Sequence, residues 1–187
     1  RTVLLSIIGQ VKKISDITDL TNTNLAIRVG NPTDNKEWQK ALLPWTARST
    51  TKTDAAIQAE AAAKKYSQAY RLRNASPDQR NLGDILDSPV SAIGNRVGGR
   101  QEFLVTAAND GMVHLFRSDD LAGAANPYHL KLSYSPADMQ RDGEKGGETM
   151  GKTLKGLAQD GYGNLDKPHR YMVNGGFTLR QTPDSSY

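Results

Sequence analysis

The sequence predicts a mainly β protein carrying one surface α-helix, and three observations lead there. Residues 102–116 hold two strand-like runs around Asn109-Asp110-Gly111, a turn whose glycine tolerates the positive φ of a tight hairpin. A second Asx-Gly pair, in Asn174-Gly175-Gly176, sits between the strand-like runs 169–173 and 177–180. The other β-like runs are short and separated by Gly, Asn, Asp and Pro, a pattern shared by sandwiches, barrels and propellers.

From the N-terminus, Arg1 to Lys13 is rich in Val, Ile and Leu and alternates up to Gly9, so it reads as one strand, bent or bulged at that glycine. Ser15 to Asn24 is dominated by Thr, Asp and Asn, whose side chains bond to nearby backbone and favour loops. A short strand, Leu25 to Val29, closes at Gly30-Asn31-Pro32. Trp38, Leu42, Leu43 and Trp45 then gather around Pro44 as an apolar anchor for a connection, the alternative being a tryptophan on a sugar-binding face.

Thr51 and Asp54 open an alanine-rich stretch that runs to Tyr70 without Gly or Pro. The spacing of Ala55, Ala59, Ala62, Tyr66 and Tyr70 predicts a single helix of about four to five turns, packed on the outside of the β-domain. The β register resumes from Asn81, through Leu82, Ile85 and Leu86 and then Ser88 to Ile93. Residues 95–100 form an exposed turn before the central hairpin. In that hairpin Phe103, Val105 and Ala107 share one face and Leu104, Thr106 and Ala108 the other, as in a strand covered on both sides. Ser118 to Pro127 is a loop. Tyr128 to Tyr134 alternates as a half-buried strand, with Tyr128, Leu130, Leu132 and Tyr134 against His129, Lys131 and Ser133. In the Gly-rich stretch 138–163, Met150, Leu154, Leu157 and Ala158 predict one or two turns of amphipathic helix, weakened by Gly151 and Gly156. The segments so defined are 1–50, strands and loops without an assignment; 51–73, the surface helix; and 81–187, the β-rich remainder.

Composition narrows function mostly by exclusion. The 187 residues include no cysteine, which removes disulfides, zinc-thiolate sites and cysteine nucleophiles. The net charge of +4 is spread without a run of five like charges, and the aromatics fall in strand patterns, so no nucleic-acid face is expected. No apolar run reaches the roughly 20 residues of a membrane span. The first residue is Arg1 and no secretion signal is visible, so the chain reads as part of something longer, with any export signal elsewhere.

No catalytic, cofactor-binding or metal-binding residues are expected. His114, His129 and His169 each sit in a strand-like context and read as core or sheet-surface histidines. Gly146-Gly147 follows no strand and lacks phosphate-loop spacing, and Ser88 lacks a nucleophile elbow. Asp160, Asn164 and Asp166 lie close together at the wrong spacing for a calcium loop, and Asp119-Asp120 is only a pair.

Three stretches carry a family resemblance: Asn81 to Val90, the hairpin Glu102 to Phe116, and Tyr171 to Phe177. Together they resemble the C-terminal β-propeller of the PilC/PilY family, exported proteins associated with the tips and assembly of bacterial type IV pili. The match departs from the family at Asn174, where many relatives carry Asp, and at Gly176-Phe177, which replace a Ser-Pro. The resemblance implies an incomplete β-propeller. A blade is four strands in about 40–45 residues, so 81–187 holds about two, leaves the ring open and leaves at least one sheet edge unpaired. It also implies a non-enzymatic adhesin or assembly factor at the cell surface, pilus tip or outer membrane. The partners implied are pilin or minor pilin subunits, a host cell surface receptor and the remainder of the propeller. Calcium, held by an Asp-rich loop in relatives, is expected in the parent protein outside this segment, and no cofactor within it. The hairpin also resembles a strand turn of quinoprotein dehydrogenases, which bind pyrroloquinoline quinone, but the Trp-docking repeat of that family has no counterpart after Trp45. A carbohydrate-binding propeller is the third reading.

Overall fold

A computed structural model describes residues 2–7, 10–18, 36–49, 51–75, 78–79, 82–94, 102–118, 128–136, 150–173 and 175–179. The strands are β1 (Thr2–Ile7), β2 (Gln10–Lys13), β3 (Asn74–Ala75), β4 (Asp78–Gln79), β5 (Ser91–Ile93), β6 (Phe103–Ala108), β7 (Met112–Ser118) and β8 (Tyr128–Ser135). Six form one sheet in the order β2-β1-β8-β7-β6-β5, and β3 pairs with β4 in a separate ribbon. β5 to β8 run as a four-stranded antiparallel meander, the size of one propeller blade. β1 then adds to β8 in parallel, with Thr2 beside Leu132 and Leu5 beside Ser135.

The central hairpin follows its pattern. Gly111 takes φ 80°, and its N–H bonds to the Ala108 carbonyl at 3.1 Å. Val105, Thr106, Ala107 and Ala108 are all buried, so β6 is covered on both faces near the turn. A register shift between Leu115 and Phe116 interrupts the β7–β8 ladder, which adds local twist. In β8 the covered positions differ from those expected: Ser133 and Ser135 are buried, while Leu130, Leu132 and Tyr134 are half-buried. A polar bond in the interior, described below, takes Ser133 inward.

The helices pack on the N-terminal side of this sheet. A π-helical segment, Trp38–Leu42, runs directly into α1 (Leu43–Ala47), and Pro44, which has no N–H to donate to the preceding turn, falls at the junction. Trp38, Leu42, Leu43 and Trp45 are buried in the core as the anchor the sequence suggests, which leaves neither tryptophan for a surface sugar site. They meet Val3 and Leu5 of β1, Ile57 of α2 (Asp54–Ala62), and Leu154, Leu157 and Ala158 of α3 (Met150–Ala158) in one continuous cluster. α3 therefore forms where its apolar spacing places it.

Three expectations are corrected. Arg1 to Lys13 is a hairpin rather than one bent strand, since β1 and β2 run antiparallel with Ile7 opposite Gln10. Alternation has the same period on either side of a turn, so the pattern alone does not separate the two. The helix from Thr51 to Tyr70 is shorter: α2 is capped by the Thr53 hydroxyl, which accepts from the Ala56 N–H at 3.2 Å, and it ends at Ala62. Its buried positions are Asp54 and Ile57, not the alanine stripe. The chain leaves the helix because Glu37, buried in the core, accepts from the Ser67 N–H at 2.8 Å and the Tyr70 hydroxyl at 2.9 Å. Tyr66 and Tyr70 stand edge-on, 5.8 Å apart, in the interior. The late hairpin is also absent: the described residues from His169 to Val173 and from Gly175 to Leu179 form no strands. The expected strand at 25–29, the turn at 95–100, Asp119-Asp120 and most of the loop 118–127 lie outside the described residues. Among the described residues the sheet is open, with β2 and β5 as its outer strands.

Candidate functional site

The three sequence stretches that stand out are brought together at one point, the β6–β7 turn. The Asp110 carboxylate accepts from the Gly83 N–H at 3.1 Å and, within its own turn, from the Met112 N–H at 3.2 Å. The Asn109 N–H donates to the Asp84 carbonyl at 2.9 Å, and the Asn109 side-chain oxygen accepts from the Met172 N–H at 3.3 Å. Residues 83–84, 109–110 and 172 are thus knotted through backbone groups that would otherwise need water. Gly83 is the piece that allows it. A Cβ built there would lie 2.3 Å from the Asp110 nitrogen and 2.9 Å from the Asn109 carbonyl carbon, so only glycine lets the two segments approach this closely.

Behind the turn, Asp110 also bonds His114 Nε2 at 3.0 Å, and His114 Nδ1 lies 2.8 Å from Ser133 Oγ. With the carboxylate accepting, Nε2 carries the proton, and for neutral imidazole Nδ1 accepts from the serine. The residue types are those of a Ser-His-Asp hydrolase, but the arrangement does different work. His114 and Ser133 are both 0% exposed, so a substrate carbonyl has no route to the hydroxyl. What the chain of bonds does is fix the hairpin to β8 through a polar chain whose histidine and serine are buried. The sequence pattern reads His114 as a core or sheet-surface histidine; it lies in the core, with partners the pattern does not show. The one available signal was an aspartate four residues before a histidine on an apolar strand.

The other two histidines are more open. His129 is exposed on β8; His169 lies outside any strand, between the rings of Tyr162 and Tyr171, at 3.5 Å from Asp84. The loop holding Asp160, Asn164 and Asp166 is closed by its own bonds. Lys167 Nζ donates to the Asp160 carbonyl at 2.7 Å, and the Gly163 N–H donates to the Lys167 carbonyl at 2.8 Å. No group of three or more metal-ligating side chains occurs among the described residues.

A second polar assembly ties the helices together. Arg73 pairs with Asp54 at 2.7 Å, donates to the Trp45 carbonyl and stacks on the Trp45 ring at 3.6 Å from its centroid. Burial pushes the Asp54 carboxyl up, but the hydrogen bond and charge of Arg73 outweigh it, and the net shift is downward from the ordinary carboxylate value. Burial is also the leading cause that lowers the Arg71 guanidinium, helped by the like charge of Arg73. Arg71 lies between the Trp45 and Tyr162 rings and donates to the Leu157 carbonyl at 2.6 Å.

With this geometry in hand, the comparisons decide the family. A family model described as the PilY1 beta-propeller domain matches residues 82–186, more than half of the chain. The chain belongs to the PilY1 β-propeller family. No curated protein and no solved structure matches it. Every residue of the Gly83–Asn109–Asp110–Met172 knot, together with His114 and Ser133, lies inside the matched stretch, as do β5 to β8 and α3. The N-terminal hairpin, α1 and α2 precede it. PilY1 membership gives the protein a type IV pilus-related role, and no described helix is long and apolar enough to cross a membrane.

Proposed function

We propose that this PilY1-family domain serves in pilus biogenesis and surface attachment as a non-enzymatic, protein-binding platform. Its partners are pilin or minor pilin subunits and, at the pilus tip or outer membrane, a host surface receptor. Within the parent protein, further blades complete the ring to which the β5–β8 meander belongs. The observation that carries the reading is the knot at Gly83, Asp110 and Met172, whose backbone groups are bonded across three segments, with the His114 and Ser133 side chains behind it buried. A site built so is suited to holding a surface in shape rather than to turnover.

The test is co-purification of the intact protein with minor pilins, alongside pilus counts and adhesion in a strain lacking its gene. Capture of the pilins together with loss of pili or of attachment is expected. Normal piliation and adhesion in the deletion strain, or quinone-dependent dye reduction by the purified protein, would overturn the reading.

A further inference from the structure

Arg71 carries a charge that neither the knot nor the core neutralises. Its main chain is fixed from both sides, since its N–H donates to the Ala158 carbonyl at 3.0 Å and its carbonyl accepts from Trp45 Nε1 at 3.1 Å. Its guanidinium is held as firmly. The Trp45 and Tyr162 ring centroids lie 5.3 and 5.0 Å from Cζ, and Nε donates to the Leu157 carbonyl at 2.6 Å. Of the N–H donors of a guanidinium, that bond uses one. Among the described residues, the terminal nitrogens Nη1 and Nη2 have no hydrogen bond and no ion pair. The buried side-chain atoms left without a partner there are Ser67 Oγ and Asn109 Nδ2, so the two Arg71 nitrogens keep contact with solvent.

The neighbouring arginine makes the contrast. Arg73 commits its guanidinium to the Asp54 carboxylate and the Trp45 carbonyl. Arg71 has no carboxylate in contact: Asp54 and Asp84 act on it only through space, and Arg73 opposes it with like charge. A half-buried cation without a counter-ion is costly, and an anion arriving at its open end would relieve that cost. The paired terminal N–H groups of a fixed guanidinium match the two oxygens of a carboxylate. A multiply charged phosphate or sulfate fits less well, because Arg73 is already committed and the Asp84 carboxylate stands exposed nearby. We infer that Arg71 is a docking point for one carboxylate of a polypeptide partner, held by both terminal nitrogens. Trp45 and Arg71 precede the matched stretch whereas Leu157 and Tyr162 lie within it, so the point exists only where the two parts of the chain pack together. This rests on the protein-binding reading above and names the group that is recognised on the partner.

The experiment titrates the whole chain with two peptides that carry one carboxylate each, acetyl-triglycine with a free C-terminus and acetyl-Gly-Glu-Gly amide, and with acetyl-triglycine amide as the uncharged control. Tryptophan fluorescence reports binding, because the Trp45 ring lies against the guanidinium. A saturable response to a charged peptide and none to the amide is expected, and the peptide that binds tells whether a chain end or an acidic side chain is read. Arg71→Lys keeps the charge but loses the planar pair of donors, and should raise Kd about tenfold. Asp84→Asn removes a repelling carboxylate while its backbone carbonyl still accepts from Asn109, so it should lower Kd about two- to threefold at low salt and leave the melting temperature nearly unchanged. Absence of a saturable response, an equal response to the amide, an unchanged Kd in either variant, or tighter binding of inorganic phosphate than of both peptides would each overturn the assignment. Capture of minor pilins by the unaltered protein decides the broader reading separately, so the two can fail independently.

Discussion

Replacing Gly83 by alanine probes the knot most directly, because a single methyl group enters the close approach between residues 83–84 and the β6–β7 turn. The new Cβ would stand 2.3 Å from the Asp110 nitrogen, 2.9 Å from the Asn109 carbonyl carbon and 3.0 Å from the Asp110 Cβ. All three belong to a turn that is itself hydrogen bonded, so relief requires the two segments to separate. Separation breaks the Gly83 N–H bond to Asp110 and the Asn109 N–H bond to Asp84. Each is worth about 1 kcal/mol net, and the one to a carboxylate about 1.5–3. Stiffening of the unfolded chain by alanine returns about 0.4–1 kcal/mol, so the net loss should be about 2–3 kcal/mol. Urea unfolding followed by circular dichroism measures it, read as a lower midpoint at constant slope. The matched control is Gly156→Ala, a helical glycine whose added Cβ meets nothing, which should stabilise by up to about 1 kcal/mol. If Gly83→Ala unfolds within about 0.5 kcal/mol of the unaltered protein, the knot does not hold the segments together and the reasoning fails.

Three further outcomes follow from the same contacts. Asp54 has a folded pKa below its unfolded one, so its pairing stabilises the fold above about pH 4, the ordinary carboxylate range, and is lost as pH falls through the folded value; melting temperatures from pH 7 to pH 3 should fall less steeply in Asp54→Asn, from a lower start. His114→Ala should cost about 2–4 kcal/mol by leaving Asp110 and Ser133 short of a partner, and Ser133→Ala only about 1, with chemical denaturation of the double variant showing a loss smaller than the sum. Tyr70→Phe removes a bond to the buried Glu37 and should cost about 1.5–3 kcal/mol in thermal unfolding.

What could be read from the chain divides by distance along it. The central hairpin was legible because both of its determinants, two-sided apolar runs and Asp110-Gly111, are local. The same holds for α3 and for the tryptophan anchor. The end of α2 was not, since Ala61 to Tyr70 carries no stop signal; Glu37, 33 positions before Tyr70, supplies the reason. The buried serines of β8 were missed because alternation says which residues share a face, not which face is covered, and Ser133 goes inward for His114. The motifs around Gly83, Asp110 and Met172 were recognisable as a family's wording. Their meeting in space, and the reason Gly83 has no substitute, required the fold.

The parallel ladder between β1 and β8 has a consequence for assembly. Thr2 lies beside Leu132, so β1 waits for a docking edge about 130 positions later in the chain, whereas β6, β7 and β8 zip together from neighbours. Local pairings form fast, and distant ones carry the cost of closing a long loop. The N-terminal ribbon is therefore the last piece to join, and until it does Val3 and Leu5 remain available to any other strand they meet. A chaperone that shields the unfinished sheet would do most good at this ribbon.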